Sequence, residues 1–64
     1  MIDNHTRQTL HQLSDILNDN LDILIRKREN AAPQDKYLYR YICRKLEIAI
    51  GSINKALDKA NASV

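Results

Sequence analysis

Pro33 and Gly51 are the only proline and the only glycine in this 64-residue chain. That scarcity limits the fold more than any other feature. A multi-stranded sheet needs turn chemistry roughly every 8 to 12 residues, and two such residues cannot supply it. Long helices are what remains. The one visible break is Asn30-Ala31-Ala32-Pro33, and it divides two helical patterns.

The first pattern predicts a helix over about 4–28. Leu10, Leu13, Leu17, Leu21 and Leu24 recur at spacings of three and four, the period of one helix face. Ile16, Ile23 and Ile25 widen that face. Asp3, Asn4 and Thr6 are all residue types that cap a helix start. Arg26, Lys27 and Arg28 stand where cations suit the negative end of the helix dipole. The second pattern predicts a helix over about 33–60. Proline at the first helical position loses no hydrogen bond, and Asp35 follows in the favourable first turn. Leu38, Ile42, Leu46, Ala49, Ile53, Ala56, Leu57 and Ala60 form its expected stripe, with Asn61 to Val64 as a fraying tail. Two helices with so short a connection form an antiparallel hairpin. The expected fold is therefore all-α, a single two-helix domain over residues 1–64.

Charge agrees with that pairing. Residues 1–25 carry a net −3 and residues 26–64 a net +5, the overall +2 of the chain. An acidic stretch beside a basic one is attractive, although each exposed pair is worth only ~0–1 kcal/mol. Other classes fall away on composition. A single Cys excludes an internal disulfide and a zinc-finger framework. No apolar run approaches the ~18 residues of a membrane span. Met1 to His5 has neither the basic nor the apolar part of a signal peptide, so a reducing, cytoplasmic setting is expected.

The apolar faces exceed what a hairpin can bury. On a wheel at about 100° per residue, the apolar residues of helix 1 spread over about 200°, from Ile16 and Ile23 on one flank to Ile25 on the other, whereas one neighbour needs a stripe only somewhat over 100° wide. On helix 2, Tyr37, Tyr41 and Ile48 lie about 140° round from the stripe centred near Ile53. Ile16, Ile23, Tyr37, Tyr41 and Ile48 are accordingly the candidate partner-binding residues, since tyrosine brings large contact area at low rotamer cost. The plainer alternative is that the tyrosine rings lie along Arg44 and Lys45. Size supports a partner, because in so short a chain the gain from burial roughly cancels the conformational entropy of ordering it. Asn20 sits within the apolar arc, where a lone polar group can fix register or stand at a wet edge. Gly51 interrupts helix 2, either to admit a close backbone or as a tolerated neutral position.

Catalytic and metal chemistry is not expected. His5 and His11 are six residues apart and diverge by about 120° round the helix. Cys43 reads as a small buried hydrophobe. There is no phosphate-cradling loop and no nucleophile elbow. Lys36, Arg40 and Arg44 form a line that could track phosphates, but a net charge of +2 and a pI near 8.9 fall short of a nucleic-acid footprint.

Leu46-Glu47-Ile48-Ala49-Ile50-Gly51-Ser52-Ile53 resembles the Leu-Glu-x-Ala-Ile-x-x-Ile run in the second helix of small type III secretion co-chaperones of the YscE/PscE type. Those are two-helix hairpins of similar length. Tyr37 is the nearest counterpart of the family's early aromatic residue, about one position closer to the motif. By position the resemblance assigns Leu46, Ala49, Ile50 and Ile53 to hairpin packing. It implies a virulence-associated, cytoplasmic, non-enzymatic chain without cofactor, paired with a larger tetratricopeptide-like chaperone that keeps a needle subunit monomeric. The alternative expectation is a homodimeric four-helix bundle, a small regulator touching nucleic acid through Lys36, Arg40 and Arg44.

Overall fold

The computed structural model describes residues 2–62. It contains α1 (Asn4–Asn30) and α2 (Pro33–Ala62), packed as an antiparallel hairpin. At 1.5 Å per residue, helices of 27 and 30 residues are about 40 to 45 Å long, which accounts for the 48 Å long dimension. α2 continues through Asn61 and Ala62, two residues past the expected end. Ser63 and Val64 of the expected tail lie outside the described residues.

Three cap arrangements define the ends. Asp3 is the N-cap of α1: its backbone is extended, and its carboxylate accepts the Thr6 N–H at 2.7 Å. At the other end Ala31 leaves the helix in extended conformation, and its N–H reaches the Arg28 carbonyl at 3.3 Å. The Ala32 carbonyl then accepts from Asp35 and Lys36, at 2.9 and 3.1 Å, and so starts α2 behind Pro33. No described residue has a positive φ, so a two-residue connection closes the hairpin without glycine.

Burial follows one rule. On α1 the half-buried or buried residues are Arg7, Leu10, Ser14, Leu17, Leu21, Leu24 and Arg28, continued by Ala31. On α2 they are Lys36, Tyr39, Cys43, Leu46, Ile50, Ile53, Leu57 and Ala60. Both sets step three, four, three, four throughout. This is the heptad of a coiled coil, with positions a and d facing the partner helix. Position a holds Arg7, Ser14, Leu21 and Arg28 on α1, and Lys36, Cys43, Ile50 and Leu57 on α2. The other residues with reduced exposure are Ile25, Ile42 and Ala49, which flank the seam, and Ile2 before α1.

The register is visible in one contact. The Ser14 hydroxyl donates to Asn54 Oδ1 at 3.3 Å. In an antiparallel pair an a residue stands level with a d residue of the other helix, here Ser14 with Ile53. Every other layer follows, including Leu10 with Leu57, Leu17 with Ile50, Leu21 with Leu46 and Leu24 with Cys43. Arg28 and Lys36 close the seam near the loop, with stems half buried and charged heads free to reach water.

This seam is rotated from the expected stripes. Leu13, placed on the α1 stripe by its size, is 42% exposed, and the buried neighbour is Ser14. On α2, Leu38 is 56% exposed and Ala56 is exposed, while Tyr39, Cys43 and Ile50 turn inward. The reason is continuity. From Tyr39 to Ala60 the a and d positions of α2 are apolar without interruption, and from Leu10 to Leu24 those of α1 are broken only by Ser14. The expected α2 stripe, with its steps of four and four, drifted between two neighbouring repeats. Cys43 stands in the seam, 1% exposed, rather than at its edge.

Candidate protein-interaction surface

Among the described residues the seam leaves seven large apolar ones exposed: Leu13, Ile16, Ile23, Tyr37, Leu38, Tyr41 and Ile48. Their heptad positions say where they point. Round a helix the order is a, e, b, f, c, g, d, so one flank of the seam is e then b, and the other is g then c. In an antiparallel pair the two g flanks share one side of the hairpin and the two e flanks share the other. The Ser14–Asn54 hydrogen bond lies on the e side, since Asn54 is an e residue.

The g side collects the apolar surplus. Leu13 is at g and Ile16 and Ile23 are at c on α1. Leu38 is at c on α2, flanked by half-buried Ile42 and Ala49 at g. Tyr41 and Ile48 stand at f, on the back of α2 opposite the seam, between the b and c rows. The sequence-derived candidates are thus divided: Ile16 and Ile23 share the g side, and Tyr41 and Ile48 share the back of α2. Tyr37 joins neither pair: it is at b, leaning to the e side, and is 77% exposed. Leu13 and Leu38 belong to the surface but were assigned to the hairpin interior from sequence. Their signal was present, because Leu13, Ile16, Asn20 and Ile23 form a second three-four-three repeat beside the first.

The apolar stretch of this side is bounded by Thr6, Thr9, Lys27, Asn30 and Lys59, and Asn20, Lys45 and Ser52 lie within it. The Lys45 Nζ lies 5.3 Å from the centroid of the Tyr41 ring, a cation–π arrangement worth about 0.5–1 kcal/mol when exposed. The ring keeps over half its surface open all the same. Asn20 is exposed and its amide donates to the Ile16 carbonyl at 2.8 Å; it is at a wet edge and fixes no register within the hairpin. Ser52 donates similarly to the Ile48 carbonyl at 3.0 Å. Gly51 is at b, away from this side, and a Cβ built there meets nothing within 4 Å, so no backbone of the hairpin approaches it.

The e side is different in kind. It carries His11, Asn18, Arg40, Glu47 and Asn54, with Ile25 half buried. Lys36, Arg40 and Arg44 step from the seam out through the e flank, with the Lys36 stem half buried and Arg40 and Arg44 exposed. Among the described residues no three His, Cys, Asp or Glu side chains come together as metal ligands, and no helix is long and apolar enough to cross a membrane. The ionisation of Asp3 is displaced. Hydrogen bonding from Thr6, through its side chain and then its backbone N–H, holds the carboxyl below the usual range.

No protein-family model, curated protein or solved structure matches this chain.

Proposed function

We propose that this chain is a non-enzymatic protein-binding module whose working surfaces are the apolar g side of the hairpin and the Tyr41–Ile48 row on the back of α2. The observation that carries this is that four of the seven exposed large apolar residues among the described ones, Leu13, Ile16, Ile23 and Leu38, share the g side, where half-buried Ile42 and Ala49 continue them, and two more, Tyr41 and Ile48, share the back of α2. Contiguous apolar surface on a small protein costs solubility, and such patches mark interaction sites. Scatter over all faces would have carried no such meaning.

The partner is a helical protein. A long, straight, three-four-spaced surface presents the knobs and holes that another helix fills. The resemblance in the Leu46–Ile53 segment narrows this to a larger tetratricopeptide-like chaperone of a type III secretion system, in the cytoplasm, with the needle subunit as the third component. Tyr41 and Ile48, on the back of α2, are the anchors for that larger protein. Tyrosine at such a site combines a wide apolar ring with a polar tip that stays wet.

The test is stoichiometric co-purification with that chaperone. Tyr41→Asp is expected to abolish it while far-UV circular dichroism stays helical, because Tyr41 lies outside the seam. Undiminished co-purification of a helical Tyr41→Asp chain refutes the surface. Retention with a partner that is not a helical-repeat protein refutes the partner class.

A further inference from the structure

We propose that the g and c positions of this hairpin are occupied by a second copy of the same chain, giving a four-helix bundle in which α1 of each copy lies on α2 of the other. This rests on the reading of the g side as a docking side and deepens it: the second copy takes the g and c rows, leaving the Tyr41 and Ile48 row on the back of α2 for the larger partner.

Four features of the hairpin lead here. First, both helices carry a second repeat of the spacing that made the first seam. On α1 it is Leu13, Ile16, Asn20 and Ile23. On α2 it is Leu38, Ile42, Lys45, Ala49, Ser52 and Ala56. Each repeat is centred about 110° round the wheel from the seam, close to the right angle at which a helix of a four-helix bundle meets its second neighbour. A single docked helix would need only the g rows, whereas the c residues Ile16, Ile23 and Leu38 are apolar as well.

Second, symmetry fixes the register with no free choice. A two-fold axis parallel to the helices lays the g side of one copy on the g side of the other and leaves every height unchanged. The hairpin's own register, set at Ser14–Asn54, then sets that of the interface. Leu13 falls between Ser52 and Ala56 of the second copy, Ile16 between Ala49 and Ser52, and Ile23 between Ile42 and Lys45. Leu13 and Ile16 of α1 therefore meet small residues of α2, and Ile23 meets Ile42 and the Lys45 stem. The other arrangement, α1 on α1, sets large against large and small against small, and brings the basic α2 helices together.

Third, the charges match the first arrangement. The N-terminal part of α1 is acidic and α2 is basic. Asn20 falls between Lys45 and Ala49 of the second copy, with Asp19 beside it at the rim. Asn20 thus acquires at this second seam the register role it lacks in the hairpin. Fourth, the area suffices. The broad side measures 48 by 15 Å, about 700 Å² in flat outline before side-chain relief, against roughly 800 Å² per partner in a standard specific interface.

The experiment is the mass of the purified chain in solution by sedimentation, combined with cysteine cross-linking. The wild-type chain is expected at twice 7.4 kDa over the micromolar range, and Ile16→Glu at 7.4 kDa. Should Ile16→Glu unfold, the cross-linking still decides. An oxidised mixture of Ile16→Cys and Ala49→Cys chains is expected to yield an order of magnitude more covalent dimer than either variant alone, with Cys43 silent in its buried position. A wild-type monomer throughout the micromolar range overturns the proposal, as does a folded Ile16→Glu dimer. Ile16→Cys alone cross-linking as well as the mixture overturns the α1-on-α2 arrangement. Tyr41→Asp is expected to remain dimeric, so loss of the larger partner and loss of the second copy are read separately.

Discussion

Gly51→Ala is expected to stabilise this protein, and the size of the effect can be worked from its surroundings. Gly51 lies inside α2, far from both ends. Its φ is not positive, so the backbone there is one that alanine adopts without strain. The added Cβ has nothing within 4 Å, so no overpacking offsets the gain. The position is b, outside the seam and outside the g and c rows, so neither the hairpin nor a second copy on the g side is disturbed. What remains is the intrinsic difference between glycine and alanine in a helix interior, about 1 kcal/mol, most of it backbone entropy kept by the unfolded glycine. In a domain this small, about 1 kcal/mol raises the thermal midpoint by roughly 4–8 °C. The assay is a melt followed by circular dichroism at 222 nm, with both chains at one concentration because association makes the midpoint concentration-dependent. An unchanged or lowered midpoint refutes the reasoning, and a lowered one would mean that another backbone rests against Gly51.

Two further outcomes test the seam and its cap. Leu57→Ala removes a residue only 5% exposed, level with Leu10, and is expected to cost about 2–5 kcal/mol; Tyr37→Ala, at an exposed b position, is expected to stay within about 0.5 kcal/mol, and equal losses in urea unfolding would refute the rotated seam. The Asp3 carboxyl is held below its usual range by Thr6, so its contribution is present at neutral pH and is lost as pH falls below about 4 and through the folded value. Asp3→Asn keeps a side-chain acceptor for the Thr6 N–H but does not titrate. The stability difference between wild type and Asp3→Asn should therefore shrink as the pH falls below 4, and a difference that stays constant through the acid range would refute the charged cap.

The proposed surface explains why the chain looks over-supplied with apolar residues. A two-stranded seam consumes only the a and d positions, yet Leu13, Ile16, Ile23 and Leu38 sit one repeat further round. In water an isolated helical pair with three buried apolar residues among those described, Cys43, Ile50 and Leu57, has little to set against the entropy of ordering its length. Covering the g side adds the missing burial.

Much of this was legible in the residues alone. Pro33 and the absence of other breakers determined two helices and where the chain turns. The three-four spacing determined that each helix has an apolar face, and the width of those faces determined that a hairpin could not cover them. Ile16, Ile23, Tyr41 and Ile48 stood out as surplus on that ground. Asp3, Asn4 and Thr6 were equally eligible caps until the backbone chose Asp3, because only its carboxylate reaches the Thr6 N–H. What tertiary structure decided was which of two adjacent repeats becomes the seam. One helix by itself offers Leu13 and Ser14 as neighbours 100° apart, and size favours Leu13. Packing two helices along their whole length instead rewards the repeat that stays apolar over the most layers, and that repeat carries Ser14 inward and Leu13 out. The penalty for burying a single hydroxyl is removed by one hydrogen bond to Asn54. No residue of α1 could have announced it, because Asn54 is supplied by the other helix.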